Sequence, residues 1–229
     1  MKLVFLHGSG SMGEAWHYQS QHFRDKADAI SLPGHPRGKS IPTVEGYTEW
    51  LRGYIWGKGY QDVVLVGHSL GGAITLCYAV NYPEELKAIV LVGSGARLRV
   101  HPQFITELEN GIKDKATWAK GIEPRYALVD PKVAKLVIEK RIEVGPAVQL
   151  NDMLACDKFD VMERVSQIKL PTIAIVGTDD VMTPVKYSQY LVSKIQGAKL
   201  VIIQGATHSV PLEKPAEVNK AIEEFTKGI

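Results

Sequence analysis

Cysteine is scarce in this sequence: Cys77 and Cys156 are the only two among 229 residues. Two thiols cannot make a disulfide framework, so apolar packing has to hold the chain, and a reducing, cytoplasmic setting is expected. Long hydrophobic runs are missing as well. Val63–Val66 and Ala88–Val92 are strand-sized, far short of the ~20 residues that span a bilayer, so no membrane partner is expected. The apolar stretch Leu3–Leu6 is too short for a signal-peptide core, and no small-residue cleavage site follows it. An excess of one charge is absent too. Lys and Arg number 27 against 25 Asp and Glu, a formal net charge of +2, which gives no reason to expect a nucleic-acid partner. Glycine (21) and proline (12) stay near average usage, which excludes collagen-like and low-complexity chains.

What is present is ordinary for one large domain with an inserted subdomain: 45% hydrophobic and 23% charged residues. Short runs rich in Val, Ile and Leu recur, each closed by Gly or Pro: Leu3–Leu6, Ala29–Leu32, Val63–Val66, Ala88–Val92, Thr172–Val176 and Leu200–Ile203. They lack polar alternation, as strands covered on both faces do. Segments long enough for crossover helices separate them, among them Glu45–Trp56, Gly72–Asn81 and Pro184–Ile195. The alternation predicts an α/β fold, a mostly parallel sheet of roughly six strands flanked by helices. It breaks after Val92. From 98 to 167 the pattern is helical, with Pro102, Pro124, Pro131 and Pro146 where helices would begin. The expected organisation is a core of residues 1–97 and 168–229 interrupted by a helical insertion, 98–167.

The strongest chemical signal is Gly67-His68-Ser69-Leu70-Gly71-Gly72, preceded by a strand-like run and followed by a helix-like one. Gly-x-Ser-x-Gly in that context is a nucleophile elbow: glycines admit the tight turn that lifts the serine hydroxyl above the sheet edge. A serine hydroxyl needs a base, and the base an orienting acid. Thr172–Val176 runs into Gly177-Thr178-Asp179-Asp180, and Leu200–Ile203 into Gln204-Gly205-Ala206-Thr207-His208. Both follow strand C-termini, where catalytic groups of open α/β sheets gather. Only one of the adjacent aspartates can face His208. The remaining histidines read as structural: His7 and His35 in glycine-flanked turns, and His68 pointing away from its neighbour. No His-Glu-x-x-His pattern occurs, and no metal is expected.

Gly8-Ser9-Gly10-Ser11-Met12-Gly13 matches a dinucleotide fingerprint, and Tyr190-x-x-x-Lys194 resembles a dehydrogenase pair. A nicotinamide-dependent oxidoreductase is therefore the rival reading. Against it, the end of the second run is Ser31-Leu32-Pro33-Gly34, with no acid for a ribose.

The elbow, the Asp180 loop, the stretch Gly205–Pro215, Leu6-His7-Gly8-Ser9-Gly10 and Leu32-Pro33-Gly34-His35 together resemble the α/β-hydrolase superfamily. The likeness covers nearly the whole chain and is weakest in the insertion. It implies Ser69 as nucleophile, His208 as base and Asp180, by the family's Gly-x-x-Asp pattern, as acid. It also implies Ser9 and Leu70 backbone N–H groups as an oxyanion hole, a cap that selects substrate, and no cofactor. The resembling fold usually has a β-hairpin ahead of the His-Gly strand, and here that hairpin is expected to be missing. The implied activity is hydrolysis of a small-molecule carboxylic ester of small to medium chain, by a monomer or homodimer. C–C bond hydrolysis, lactonase, thioesterase or perhydrolase chemistry would use the same triad, and some family members are ligand receptors. Apolar residues of the insertion, including Phe104, Leu108, Trp118, Met153, Leu154 and Phe159, suggest an apolar pocket.

Overall fold

The computed structural model describes residues 1–229. Its strands are β1 (Lys2–Leu6), β2 (Ala27–Ile30), β3 (Val63–His68), β4 (Leu86–Val92), β5 (Thr172–Gly177) and β6 (Lys199–Ile203). All neighbouring pairs are parallel, in the order β2-β1-β3-β4-β5-β6. The helices are α1 (His17–Phe23), α2 (Val44–Lys58), α3 (Leu70–Asn81), α4 (Pro102–Lys113), α5 (Lys115–Lys120), α6 (Pro131–Val144), α7 (Pro146–Lys158), α8 (Val185–Lys194), α9 (Val210–Glu213) and α10 (Pro215–Lys227).

The central strands are apolar on both sides because each side meets a different layer, while the edge strands β2 and β6 are partly exposed. Val4, Leu6, Leu65 and Ile89 pack with Leu51 of α2, Ile74 of α3 and Leu191 of α8. Leu3, Phe5, Val64 and Val90 pack on the other face with Val218, Ile222 and Phe225 of α10. The two-residue side-chain period of a strand thus serves two cores at once.

Local chemistry sets the helix ends. Thr43 Oγ1 accepts from Gly46 N–H (3.0 Å) and caps α2, and Gly59 closes it in the left-handed region (φ 65°). Pro102, Pro131 and Pro146 occupy the first turns of α4, α6 and α7, where a missing N–H costs nothing. The chain between β4 and β5 is helical, and Ile122, Tyr126, Val129, Val133 and Val137 form a small cluster of their own with Leu212. Yet Ala155, Cys156 and Phe159, at the end of α7, belong to the main core.

One strand lies earlier than its apolar run. β2 ends at Ile30, not Leu32, because Leu32 N–H donates to His7 Nε2 (3.0 Å) and leaves the ladder. The chain then turns back through Gly34.

The sheet order places the site. From β1 the chain steps to β2 on one side, and the next strand, β3, lies on the other. Such a switch point leaves a crevice beyond the carboxyl ends of the two strands. The Gly8–Gly13 loop leaves β1 there, and Ser69 leaves β3. The approach of α3 to β1 is very close: a Cβ at Gly71 would lie 2.2 Å from Leu6 O. Gly71→Ala should therefore lower the melting temperature, since overpacking of this kind costs about 1–3 kcal/mol and each kcal/mol is worth about 2–4 °C at this chain length. A thermal melt by circular dichroism checks it, and an unchanged midpoint would show that α3 can back away.

Candidate active site

Ser69 joins β3 to α3 with φ 54° and ψ −114°, a backbone region that non-glycine residues rarely adopt. Its surroundings hold it there. Ser69 N–H donates to Val92 O (3.0 Å), and its carbonyl accepts from Gly72 N–H (2.9 Å), Ala73 N–H (3.1 Å) and Ser94 Oγ (2.9 Å). The turn closes tightly enough that a Cβ at Gly67 would sit 2.2 Å from Gly71 O. The glycines flanking the serine are thus required by packing.

His208 follows β6 and meets Asp180, which follows β5. Nδ1 of His208 lies 2.8 Å from Asp180 Oδ2, so the ring donates from Nδ1 and keeps Nε2 available as an acceptor. Asp180 is fully buried, whereas His208 is 23% exposed. Of the two adjacent aspartates, Asp180 reaches the histidine, while Asp179 is exposed and its N–H donates to Ala206 O. Asp180 Oδ1 accepts from Met182 N–H (2.9 Å) and Thr183 N–H (2.8 Å), and Oδ2 from Thr183 Oγ1 (2.8 Å). Burial pushes this carboxyl up, but the hydrogen bond and charge of His208 and the Thr183 donors outweigh it. The net result is a pKa below 3.8.

Ser69, His208, Ser9 and His68 line one cavity of about 520 Å³. No hydrogen bond joins Ser69 to His208 in this arrangement. Ser9 N–H has no acceptor in the protein. Leu70 is the first residue of α3, so its N–H has no carbonyl to bond within the helix. Neither N–H is claimed by a protein acceptor; Ser9 lines the cavity, and Leu70 N–H lies at the positive end of the α3 dipole.

The loop that carries Ser9 is fixed by residues remote in sequence. Gly10 N–H donates to Asp152 Oδ2 (2.8 Å) of α7, His35 Nε2 to the same oxygen (2.8 Å), and Tyr47 OH to Oδ1 (2.9 Å). Asp152 and His35 are fully buried. Buried carboxylates persist only when hydrogen-bonded in this way. His7 works on the same loop, with Nδ1 against Gly8 O (2.9 Å).

His68 does more than pack. Its Nε2–H donates to the His208 carbonyl (2.8 Å), and the two rings lie 4.7 Å apart. Burial first, then the His208 charge, pushes its pKa down to about 3, so it is neutral in ordinary buffers. No sequence pattern distinguishes it from a packing histidine, because its partner lies 140 residues away. Thr183 was likewise hidden, being one of many surface-like threonines in the sequence.

The apolar residues of the helical segment divide. Phe104 and Met153 line the cavity, whereas Phe159 sits in the main core and Leu154 is 41% exposed. The sequence pattern also missed the cavity's cations, Arg99, Arg125, Arg141 and Lys186. The dehydrogenase-like pair lies elsewhere: Tyr190 OH donates to Met162 O (3.3 Å), and neither it nor Lys194 lines the cavity. Cys77 and Cys156 are free and buried. No group of three His, Cys, Asp or Glu side chains comes together in a metal-holding arrangement, and no helix is long and apolar enough to cross a membrane.

A model of the alpha/beta hydrolase family matches residues 3–221. A solved structure of a thermophilic esterase has a TM-score of 0.84 and 32% identity, covering 99% of this chain and 90% of that one. A pimeloyl-[acyl-carrier protein] methyl ester esterase of Wigglesworthia glossinidia brevipalpis is 26% identical, over 99% of this chain and 94% of its own. An (E)-2-((N-methylformamido)methylene)succinate hydrolase of Acinetobacter baylyi is 25% identical, over 96% of this chain and 88% of its own.

The depressed pKa of His68 sets a pH dependence. Below its ordinary value of 6.5 the unfolded chain takes up a proton that the folded protein refuses until about pH 3. Stability should fall as pH drops through that window. In His68→Gln, melting temperature should decline less steeply between pH 7 and pH 4 (roughly the window in which an unfolded histidine titrates). Parallel declines in the two proteins would show that His68 is not held neutral.

Proposed function

The chain belongs to the alpha/beta hydrolase family, and from that premise we propose that it is a serine hydrolase of carboxylic esters with small to medium acyl chains. The observation that carries this reading is the buried Asp180 carboxylate bonded to His208 Nδ1 on the wall of the cavity that Ser69 also lines. A strained serine, an oriented imidazole and unclaimed backbone donors at one sheet edge have no structural purpose together. The esterases among its relatives support the same chemistry.

In this mechanism Ser69 Oγ attacks the ester carbonyl carbon as His208 Nε2 takes its proton. The Ser69–His208 hydrogen bond tightens when substrate fills the cavity, as is common for sites without ligand. Asp180 keeps the imidazole in the Nδ1–H tautomer and stabilises the imidazolium without accepting the proton. The tetrahedral oxyanion is held by Ser9 N–H and Leu70 N–H, donors already oriented before reaction. His208 then protonates the leaving alcohol. Water attacks the acyl-enzyme by the same route, and free Ser69 returns. No step calls for a cofactor or a metal.

Residues 98–167 act in this reading as a cap over a core formed by 1–97 and 168–229. Phe104 and Met153 supply its apolar wall. The enzyme works in the cytoplasm, as a monomer or homodimer, on a small soluble ester.

A p-nitrophenyl ester chain-length panel tests the proposal. Wild type should turn over the shorter esters. Ser69→Ala should lower kcat by about 10⁴–10⁶, and Asp180→Asn by about 10⁴. A wild type inactive on every ester, the behaviour of a ligand receptor, would overturn the assignment. An equally active Ser69→Ala would overturn the nucleophile.

A further inference from the structure

The cavity is one-signed in charge. Arg99, Arg125, Arg141 and Lys186 line it, and no Asp or Glu does. Two of these cations have partners at the exposed rim: Arg99 lies 3.7 Å from Asp160, and Arg125 3.9 Å from Glu107. Arg141 differs. It projects from α6, is partly buried, and has no carboxylate within 4.0 Å. One of its nitrogens donates to Ser9 O (3.2 Å), while its Nε is buried without any acceptor. Trp16 is fully buried, lines the same cavity and has an equally unpartnered Nε1–H.

A guanidinium drawn out of water without a counter-ion is costly, and unpaired buried donors are rare enough to require a reason. Burial together with the Arg141 charge also lowers the pKa of Arg125, so the cations reinforce one positive field at the cavity. A planar fork of N–H donors matches a carboxylate better than any neutral group.

We propose that Arg141 is a specificity-determining residue and that the preferred substrates are esters carrying a second, free carboxylate, such as monoesters of short dicarboxylic acids. This rests on the ester-hydrolase reading above. The substrate carboxylate supplies the anion that Arg141 lacks. Because the guanidinium touches the backbone of Ser9, the anchored carboxylate brings the scissile carbonyl within reach of Ser69 and the Ser9 N–H. The cavity wall of Phe104 and Met153 then packs the methylenes between the two carbonyl groups.

The experiment compares mono-4-nitrophenyl adipate with 4-nitrophenyl hexanoate, which present the same scissile bond with and without the charge. A second pair, 4-carboxyphenyl butyrate and 4-carbamoylphenyl butyrate, places the charge on the alcohol side. Wild type should favour the charged member of at least one pair in kcat/KM by about 10- to 100-fold, the range of a charge-assisted hydrogen bond. Arg141→Gln, which keeps a donor for Ser9 O, should lose most of that ratio, whereas Arg141→Lys should retain part of it. Equal losses on charged and neutral esters would mean that Arg141 only positions Ser9, and would overturn the proposal, as would a wild type without preference. If no ester is turned over, the hydrolase reading fails by itself. Calorimetric binding of adipate to Ser69→Ala, at least tenfold weaker when Arg141→Gln is added, still decides the carboxylate site, and no binding would overturn it.

Discussion

The rest of the site depends on one backbone conformation, that of Ser69. A non-glycine residue at φ 54° and ψ −114° stores about 1–3 kcal/mol of strain. It persists because four hydrogen bonds hold its peptide groups and because α3 packs directly on the sheet. That packing allows no side chain at Gly71, where a Cβ would meet Leu6 O at 2.2 Å. The consequence is chemical. The same turn that strains the serine begins a helix, leaving Leu70 N–H without an internal acceptor and the helix dipole directed at the crevice.

A second constraint fixes the Ser9 loop. Asp152 accepts from Gly10 N–H, His35 and Tyr47, so one buried carboxylate ties the Ser9 loop to the turn after β2, to α2 and to α7. Its lone pairs are satisfied, which is what lets a charge stay buried. Arg141 presents the contrasting case. Asp152 is satisfied within the fold, whereas Arg141 lines the cavity with its Nε unpartnered by the protein.

The legible parts of the fold and site share a property: their signal is local. The central strands, covered on both faces, are largely continuous apolar runs and are visible as such in the sequence. The elbow is a contiguous hexapeptide from Gly67 to Gly72. The pairing of Asp180 with His208 needed chain order in addition, because each sits just past a strand end. β2 was displaced because a long-range bond, Leu32 N–H to His7, ended the ladder early. His68 passed for packing because its acceptor is a backbone carbonyl far along the chain. Phe104 and Phe159 looked alike in composition, yet one faces the cavity and the other the main core.

By itself the sequence determined the strand-and-helix alternation, the strained turn at Ser69, and the candidate acid and base with their order. The alternation and the turn follow from hydrophobic period and short-range sterics, which are properties of neighbouring residues, whereas the acid and base came from chain order and the family resemblance. Only the tertiary structure decided how Asp152 locks the Ser9 loop and which cations face the cavity. Those outcomes turn on groups brought together from distant segments, where burial alters the cost of every charge and every unpaired donor. The cavity, with Arg141 and no carboxylate on its wall, exists only in three dimensions.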